Sequence, residues 1–204
     1  MKNGWNSSEL INEVKNMAKF ILLLGKGGTG KDTIKERIQK EMPELKSLPM
    51  WTSRSMRAGE EQDVQYHFAT YEEMMQANTE GKLLECREYK TVNGIRAYGT
   101  EYPKDDSTYI LTVSIEQYNN LRLKIPQKDI ITIYLYVDEY TRIQRALSRE
   151  KECEYPNYNE VCRRFVADNN EYPVGLEYQF PSVENVDLED AVKKTIALIK
   201  ALSL

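Results

Sequence analysis

The sequence has little of what marks secreted, metal-cluster or membrane proteins. Its three cysteines, Cys86, Cys153 and Cys162, form no CxxC spacing, which favours reduced thiols over disulfides or a zinc site. No apolar run reaches the roughly 18 residues of a membrane-spanning helix, and the first residues do not resemble a signal peptide. The single histidine, His67, is predicted to be structural or exposed rather than catalytic. A cytoplasmic protein without a membrane segment is expected.

An excess of positive charge is also absent, because 28 Lys and Arg stand against 32 Asp and Glu. The net charge of −4 is the opposite of what a nucleic-acid binder driven by counterion release needs, so no nucleic-acid partner is expected. Any anion site must therefore be a local concentration of basic side chains. The length of 204 residues and 41% hydrophobic content suit one α/β domain with insertions.

Glycine is scarce, yet four of the ten glycines lie within residues 25–30. The apolar stretch 20–24 predicts a buried strand before them, and apolar residues at 34, 38 and 42 predict a helix after them. Strand, glycine loop, helix N-terminus and the ammonium of Lys31 make a phosphate cradle, which predicts binding of a nucleoside triphosphate. The residues assigned to it are Gly25, Gly27, Gly28, Thr29, Gly30, Lys31, Asp32 and Thr33.

The rest of the chain alternates apolar stretches with helical patterns, which predicts an α/β fold with a doubly wound parallel sheet of the P-loop NTPase type. Further core strands are expected at 109–115, 130–137 and 178–183, with helices at 116–123, 139–149, 161–171 and from 187 onward. Residues 50–105 differ, because they combine turn signals with short segments rich in Thr, Tyr and Arg. This part is predicted to be a small, mostly β insertion.

A second anion site is predicted within this insertion. Arg54 and Arg57 lie three residues apart, and Tyr66 follows nine residues later. Two guanidinium groups and a phenol hydroxyl suit a phosphate. Taken alone, this segment could equally be a charged turn exposed to solvent. Because a P-loop is also present, the segment indicates a site for a phosphorylated acceptor.

These features resemble the guanylate kinases, over residues 20–202. The motifs that carry the resemblance are Arg54, Arg57, Gly59-Glu60, Tyr66-His67-Phe68, Leu83-Leu84-Glu85, Tyr98-Gly99-Thr100, and Val183, Asn185, Asp187 and Leu188. The chain is predicted to be one domain, residues 1–204, in which apolar residues at helical spacing predict an N-terminal helical extension (1–18). For the rest, the resemblance implies a core (19–49 and 106–204), a nucleoside-monophosphate-binding insertion (50–105) and a helical lid (145–172).

The resemblance also implies ATP-dependent phosphorylation of a nucleoside monophosphate, GMP or dGMP above all, with Mg²⁺. Small-molecule nucleotides would be the partners. The implied acceptor-binding residues are Arg54, Arg57, Tyr66, Glu85, Tyr98, Thr100 and Ser114, with Glu85 accepting hydrogen bonds from N1 and the amine of guanine. The implied catalytic residues are Lys31, Arg145, Arg149 and Arg164. Asn185 would lie near the adenine of ATP.

The sequence departs from the family pattern at three places. Met50 replaces a Ser that contacts guanine, and Thr112-Val113-Ser114 replaces an Asp-x-Asp. Asp32 stands where a P-loop usually has Ser or Thr. We hypothesise that Asp32 takes over the Mg²⁺ site, directly or through water, with Thr33 assisting. The alternative is a carboxylate that merely suits the first helical turn.

Other functions match parts of the pattern. A Gly-Lys-Asp P-loop is similar to those of ribose 1,5-bisphosphate phosphokinases and phage-type deoxynucleoside monophosphate kinases. The first of these is disfavoured because the retained set suits a nucleotide, namely Arg54, Arg57, Tyr66 and Glu85. The second stays open. A non-catalytic guanylate-kinase-like module that binds a phosphopeptide would typically lack Lys31. A P-loop hydrolase needs no second phosphate clamp.

Overall fold

The computed structural model describes residues 19–56, 59–63, 66–91 and 94–203. The predicted helix in 1–18 and the acceptor residue Arg57 lie outside the described residues. The elements in chain order are β1 (Lys19–Leu24), α1 (Lys31–Glu41), β2 (Met50–Thr52), β3 (His67–Phe68), α2 (Tyr71–Thr79), β4 (Leu83–Thr91), β5 (Gly94–Glu101), β6 (Thr108–Val113), α3 (Ile115–Arg122), β7 (Ile130–Tyr136), α4 (Glu139–Lys151), α5 (Tyr158–Glu171), β8 (Ser182–Glu184) and α6 (Leu188–Leu202).

The main sheet is parallel and has the strand order β6-β1-β7-β8. Its central strand, β1, is apolar along nearly its whole length because both of its faces are buried. Ile21 and Leu23 face a core shared with α1 and α6, whereas Phe20 and Leu22 face the core on the α3 side. The predicted doubly wound parallel sheet is confirmed. No helix in the described ranges is long and apolar enough to cross a membrane.

The second sheet is formed within the predicted insertion and has the order β3-β2-β5-β4. Its β2–β5 and β4–β5 pairs are antiparallel, and β2 pairs with β3 in parallel. The helix α2 covers it over a small core of Met74, Ala77, Leu83 and Ala97. With so few buried aliphatic side chains, this sheet gains less from hydrophobic burial than the main sheet does.

Three predicted elements have other bounds in the structure, two of them because of a capping side chain. The strand predicted at 109–115 stops at Val113, since Ser114 accepts a hydrogen bond from the Gln117 N–H and starts α3. The helix predicted from 161 starts earlier, because the Asn157 side chain caps it. The strand predicted at 178–183 is shorter and lies later, at Ser182–Glu184. A 3-10 turn, Leu176–Tyr178, precedes it.

Candidate active site

The N-terminus of α1 is left open toward the glycine loop. The other α-helices of the described part of the chain are capped by a side chain, namely that of Thr70, Ser114, Asp138, Asn157 or Asp187. By contrast, α1 follows Gly30, which has no side chain and a φ of 85°. The first N–H groups of α1 therefore stay available, and with the helix dipole they favour an anion.

The ammonium of Lys31 lies inside the loop. Its Nζ donates to the carbonyl oxygens of Gly25 at 2.6 Å and Lys26 at 2.9 Å. Burial lowers the pKa of Lys31 to about 8, although the nearby carboxylates of Asp32 and Asp168 act in the opposite direction. A buried cation favours a negatively charged ligand, so the loop has the charge and geometry of a phosphate site.

Two residues that the sequence analysis missed hold the loop in place. The guanidinium of Arg142, which is 1% exposed, donates from Nη1 to the Gly27 carbonyl at 3.1 Å and to Asp168 Oδ2 at 2.8 Å. The same carboxylate oxygen accepts the Gly27 N–H at 2.7 Å. The Arg142 carbonyl would lie 2.7 Å from a Cβ at Gly28, whose φ of +82° also requires glycine. Helices α4 and α5 are thus tied directly to the P-loop.

We expect Arg142→Ala to lower the free energy of unfolding by about 3 kcal/mol, because it removes a guanidinium that is 1% exposed and leaves the partly buried Asp168 carboxylate and the Gly27 carbonyl without that partner. Urea unfolding measures this loss. The matched control is Arg163→Ala on α5, whose guanidinium is 54% exposed and pairs with Glu160; this change should cost about 1 kcal/mol or less. Equal losses in the two variants would contradict a structural role for the buried arginine.

Asn185 and Tyr172 fix the loop at two further points. Asn185 donates from Nδ2 to the Thr29 carbonyl at 2.8 Å, and the Tyr172 hydroxyl donates to the Gly25 carbonyl at 2.8 Å. The Oδ1 of Asn185 is buried and has no hydrogen-bond partner in the described residues. The structure therefore places Asn185 on the P-loop, and its contact with adenine stays a prediction.

Of the three predicted lid arginines, two lie near the P-loop and one does not. Arg145 donates to the Asn185 carbonyl at 2.9 Å, and Arg149 is close enough to Lys31 to help lower its pKa. Arg164 instead pairs with Glu160 of its own helix at 2.7 Å, with a side chain that is 58% exposed. Their catalytic roles stay predictions, and that of Arg164 requires a change of side-chain position.

The Asp32 side chain contacts Thr112 at the end of β6, where the family pattern has an acid. Its Oδ1 accepts a hydrogen bond from Thr112 Oγ1 at 2.8 Å. The carboxylate therefore lies beside the end of β6, although it is carried by α1. Thr33 is exposed in the same first turn. The described residues contain no group of three or more His, Cys, Asp or Glu that could hold a metal.

Arg54, Tyr66 and Tyr98, which are predicted to bind the acceptor phosphate, lie close together, and we call this group the phosphate end of the predicted acceptor site. Arg54 is 6% exposed, and its guanidinium carbon lies 5.1 Å from the Tyr66 ring centroid. Its terminal nitrogens Nη1 and Nη2 donate to the two carboxylate oxygens of Glu60 at 2.6 and 2.5 Å. The rings of Tyr66 and Tyr98 are 6.3 Å apart. Hydrogen bonding to Glu60 raises the pKa of Arg54. Three of the predicted phosphate ligands thus lie together.

Glu85 and Thr100, which are predicted to bind the base, hydrogen-bond with each other and with Gln117, and we call this group the base end of the predicted acceptor site. Thr100 donates to Glu85 Oε1 at 2.5 Å, and Gln117 donates from Nε2 to the Thr100 hydroxyl at 3.0 Å. Met50, which replaces the family Ser, lies with its Sδ 3.4 Å from Thr100 Oγ1. Burial raises the pKa of Glu85, and the neighbouring Arg87 opposes this shift. Gln117 and Arg87 were not predicted from the sequence.

The Ser114 hydroxyl is already engaged within the protein, because it caps α3 by accepting the Gln117 N–H at 3.2 Å. Against the larger effect of burial, which raises the pKa of Tyr89, the Ser114 side chain lowers it. Its contribution to acceptor binding stays a prediction.

A parallel sheet with a P-loop after its first strand, beside a smaller sheet with a buried basic site, defines a P-loop phosphotransferase with a separate acceptor. The family model "Guanylate kinase" matches residues 17–202. The chain belongs to the guanylate kinase family. The predicted family, fold class and enzyme class, a nucleoside monophosphate kinase, are confirmed.

Individual relatives agree with this assignment. The chain is 32% identical to the guanylate kinase of Granulibacter bethesdensis over 187 residues, which cover 89% of this chain and 83% of that protein. It is 26% identical to the guanylate kinase of Gluconobacter oxydans over 190 residues, 90% and 87% of the two chains. The crystal structure of guanylate kinase from Anaplasma phagocytophilum has the same fold, with a TM-score of 0.62 at 16% identity, over 92% of this chain and 87% of that one.

Proposed function

We propose that the chain transfers the γ-phosphoryl group of ATP to GMP or dGMP, giving ADP and the nucleoside diphosphate. The observation that carries this proposal is the pairing of the phosphate end with the base end on one small sheet. Glu85 and Thr100 are register partners in β4 and β5, and Tyr98 follows two residues along the same face. The phosphate end and the buried carboxylate of the base end would thus lie at opposite ends of one nucleotide site.

The donor is held by the P-loop. The open N–H groups of α1 and the ammonium of Lys31 bind the phosphates of ATP, and Arg145 and Arg149 add positive charge on the lid side. The pairing of Arg142 with Asp168 keeps the loop backbone fixed while this occurs. A fixed loop contributes by holding its donors where charge develops during transfer.

The transfer needs neither a covalent intermediate nor a general base. An oxygen of the acceptor phosphate attacks the γ-phosphorus, the bond to the oxygen that bridges β and γ breaks, and ADP leaves with that oxygen. The protein aligns the two nucleotides and neutralises the charge on the moving group through Lys31 and the lid arginines. We also propose that the insertion 50–105 and the lid 145–172 close over the nucleotides, which would exclude water and limit ATP hydrolysis.

The residues present suit Mg²⁺. This ion binds through one or two carboxylates together with substrate phosphates and waters, so the absence of a three-ligand cluster from the described residues is compatible with it. Asp32 would hold the ion, directly or through water, with Thr33 assisting. When bound, Mg²⁺ neutralises phosphate charge. The hydrogen bond from Thr112 fixes the Asp32 carboxylate at the strand end where family members carry an acid.

We expect Asp32→Ser to weaken the apparent affinity for Mg²⁺ by about 10- to 100-fold, which titration of activity against Mg²⁺ at saturating nucleotides would measure. Asp32→Asn is the matched control for shape, since it keeps an oxygen that Thr112 can donate to but has no charge. If the hypothesis is right, both variants need more Mg²⁺. An unchanged requirement in Asp32→Ser would show that the carboxylate only suits the helix terminus.

The function itself is tested by measuring ADP release with each common ribo- and deoxyribonucleoside monophosphate and with ribose 1,5-bisphosphate. We expect the highest kcat/KM for GMP or dGMP. A higher value for another deoxynucleoside monophosphate would assign the chain to a different acceptor. ADP release that is equally fast without any acceptor would indicate a hydrolase.

A further inference from the structure

Arg87 and Glu85 form a buried ion pair at the base end of the predicted acceptor site. Arg87 is two residues from Glu85 on β4, so both side chains project from the same face of the strand. The side chains of Arg87 and Glu85 are 5% and 2% exposed, and Arg87 Nη1 lies 3.3 Å from Glu85 Oε1. A positive charge is therefore held next to the carboxylate predicted to bind the base, in surroundings where water screens it little.

Within the described residues, the hydrogen bonds of the Glu85 carboxylate are made at one of its two oxygens. Thr100 donates to Oε1 at 2.5 Å, and Gln117 Nε2 lies 3.4 Å from the same oxygen. The second oxygen, Oε2, is buried and has no hydrogen-bond partner in this part of the chain. A buried carboxylate that is hydrogen-bonded at one oxygen only depends on a nearby positive charge to stay ionised.

Arg87 acts on Glu85 through its charge rather than through a hydrogen bond. Its Nη1 is within ion-pair distance of Glu85, but neither Nη1 nor Nε makes a hydrogen bond to a described residue. Burial raises the pKa of Glu85, and the charge of Arg87 is the strongest of the effects that oppose this shift, followed by the hydrogen bond from Thr100. The ion pair thus favours the ionised form of Glu85 against its burial.

The other titratable groups that act on Glu85 in the described ranges do not supply positive charge. Glu116, from α3, raises the pKa of Glu85 after burial has done so. The thiol of Cys86 follows Glu85 on β4 and packs toward the core under α2. Three uncharged side chains complete the cluster from α3, β5 and β2, namely those of Gln117, Thr100 and Met50. Among these groups, Arg87 alone is a cation.

We propose that Arg87 is a positioning residue of the acceptor site, whose buried charge keeps the Glu85 carboxylate ionised and so able to accept hydrogen bonds from guanine. This inference rests on the proposed function. A protonated Glu85 would carry a donor at one oxygen, whereas N1 and the amine of guanine are donors that need acceptors. The ionised state of Glu85 matters more here than in the family pattern, because Met50 and Ser114 replace two other guanine contacts.

The test is the pH dependence of kcat/KM for GMP, which reports ionisations of the free enzyme. Protons on the nucleotides titrate identically for every variant, so the ratio of variant to unaltered enzyme isolates the protein. Without the positive charge, Glu85 in Arg87→Met should take up its proton about 1 to 2 pH units higher. The ratio should therefore be constant at alkaline pH and fall about 10- to 100-fold further as the pH is lowered. A ratio that does not change with pH would indicate packing alone and overturn the proposal.

Two further substitutions at the same position separate charge from shape. Arg87→Lys keeps a positive charge beside Glu85, so its pH profile should follow that of the unaltered enzyme. An acidic limb displaced as far in Arg87→Lys as in Arg87→Met would contradict a role of the charge. Arg87→Gln removes the same charge with a polar side chain and carries the same expectation as Arg87→Met, so the test does not depend on one variant folding.

Arg122→Met is the matched control, because Arg122 is an exposed arginine in the last turn of α3. Removing a solvated charge at this distance should leave the pH profile unchanged. A displaced acidic limb in Arg122→Met would show that the effect follows the net charge of the protein rather than the buried pair, which would also overturn the role of Arg87.

Protonation of Glu85 can also be followed without any nucleotide, by carbon-13 NMR of its carboxyl carbon, with the signal assigned through its loss in Glu85→Gln. The midpoint should lie about 1 to 2 pH units higher in Arg87→Met than in the unaltered protein. An unchanged midpoint would overturn the inference whatever the kinetics show. Failure of the unaltered enzyme to phosphorylate GMP and dGMP would instead overturn the proposed function, and the NMR midpoints would still decide whether Arg87 controls the charge of Glu85.

Discussion

Lys31→Ala is expected to lower kcat for phosphoryl transfer by at least about 10³-fold while leaving the Kd for GMP within about twofold of its normal value. The ammonium is held inside the P-loop by the carbonyl groups of Gly25 and Lys26, so it lies where the phosphates of the donor must bind. Its charge opposes the negative charge that develops on the transferring group and the departing ADP. Stopped assays of ADP formation and calorimetric titration with GMP measure the two quantities.

Lys40→Ala is the matched control for this variant, because Lys40 is an exposed lysine in the last turn of the same helix. It should leave kcat and both nucleotide affinities unchanged. A Lys31→Ala enzyme that retained more than about a tenth of normal kcat would mean that the loop does not bind the reacting phosphates. Weakened GMP binding in this variant would mean that donor and acceptor sites are not separate.

The main sheet could be predicted from the sequence because its signals are local and strong. Strands such as β1 and β7 are nearly continuous apolar runs, as strands buried on both faces must be. The element boundaries were less predictable, since they depend on single capping side chains. Ser114 ends one strand and starts the next helix, and nothing in the apolar periodicity marks that change.

The motif residues of the candidate site could also be predicted, because each belongs to a short pattern of side chains with a common chemistry. Arg142 was missed although it lies on the same helical face as Arg145 and Arg149. Spacing along a helix shows which arginines share a face, but it does not show which of them is buried against the P-loop. That distinction depends on Asp168, which follows 26 residues later and was not predicted as a partner.

Arg87 was missed for a different reason. Alternation along β4 places it on the face of Glu85, but a lone arginine in a strand with charged neighbours is usually solvated. The structure instead buries it, with its Nη1 3.3 Å from Glu85 Oε1. This burial arises only when α3 packs against β4, which involves residues far apart in the sequence.

Arg54→Ala is expected to raise the KM for GMP by about 100-fold or more, since a charged hydrogen-bonding partner of the acceptor phosphate is removed from a buried site. The side chain of Arg54 is fixed by Glu60 and by the rings of Tyr66 and Phe68, so little entropy is lost when the phosphate binds. The KM for ATP should change by less than about threefold, because the P-loop is held by other residues. Steady-state kinetics with each nucleotide varied in turn give both constants.

The same substitution also removes a buried ion pair, so a loss of stability must be separated from a loss of binding. Arg54→Lys keeps the positive charge beside Glu60 but cannot form the two-pronged contact, and it should raise the KM for GMP without a comparable fall in thermal stability. Arg37→Ala, which breaks a surface pair between α1 and Glu189 in the first turn of α6, is the control expected to leave both KM values unchanged. Normal acceptor kinetics in both Arg54 variants would place the phosphate of GMP elsewhere, because a clamp of this kind cannot be removed from the true site without cost.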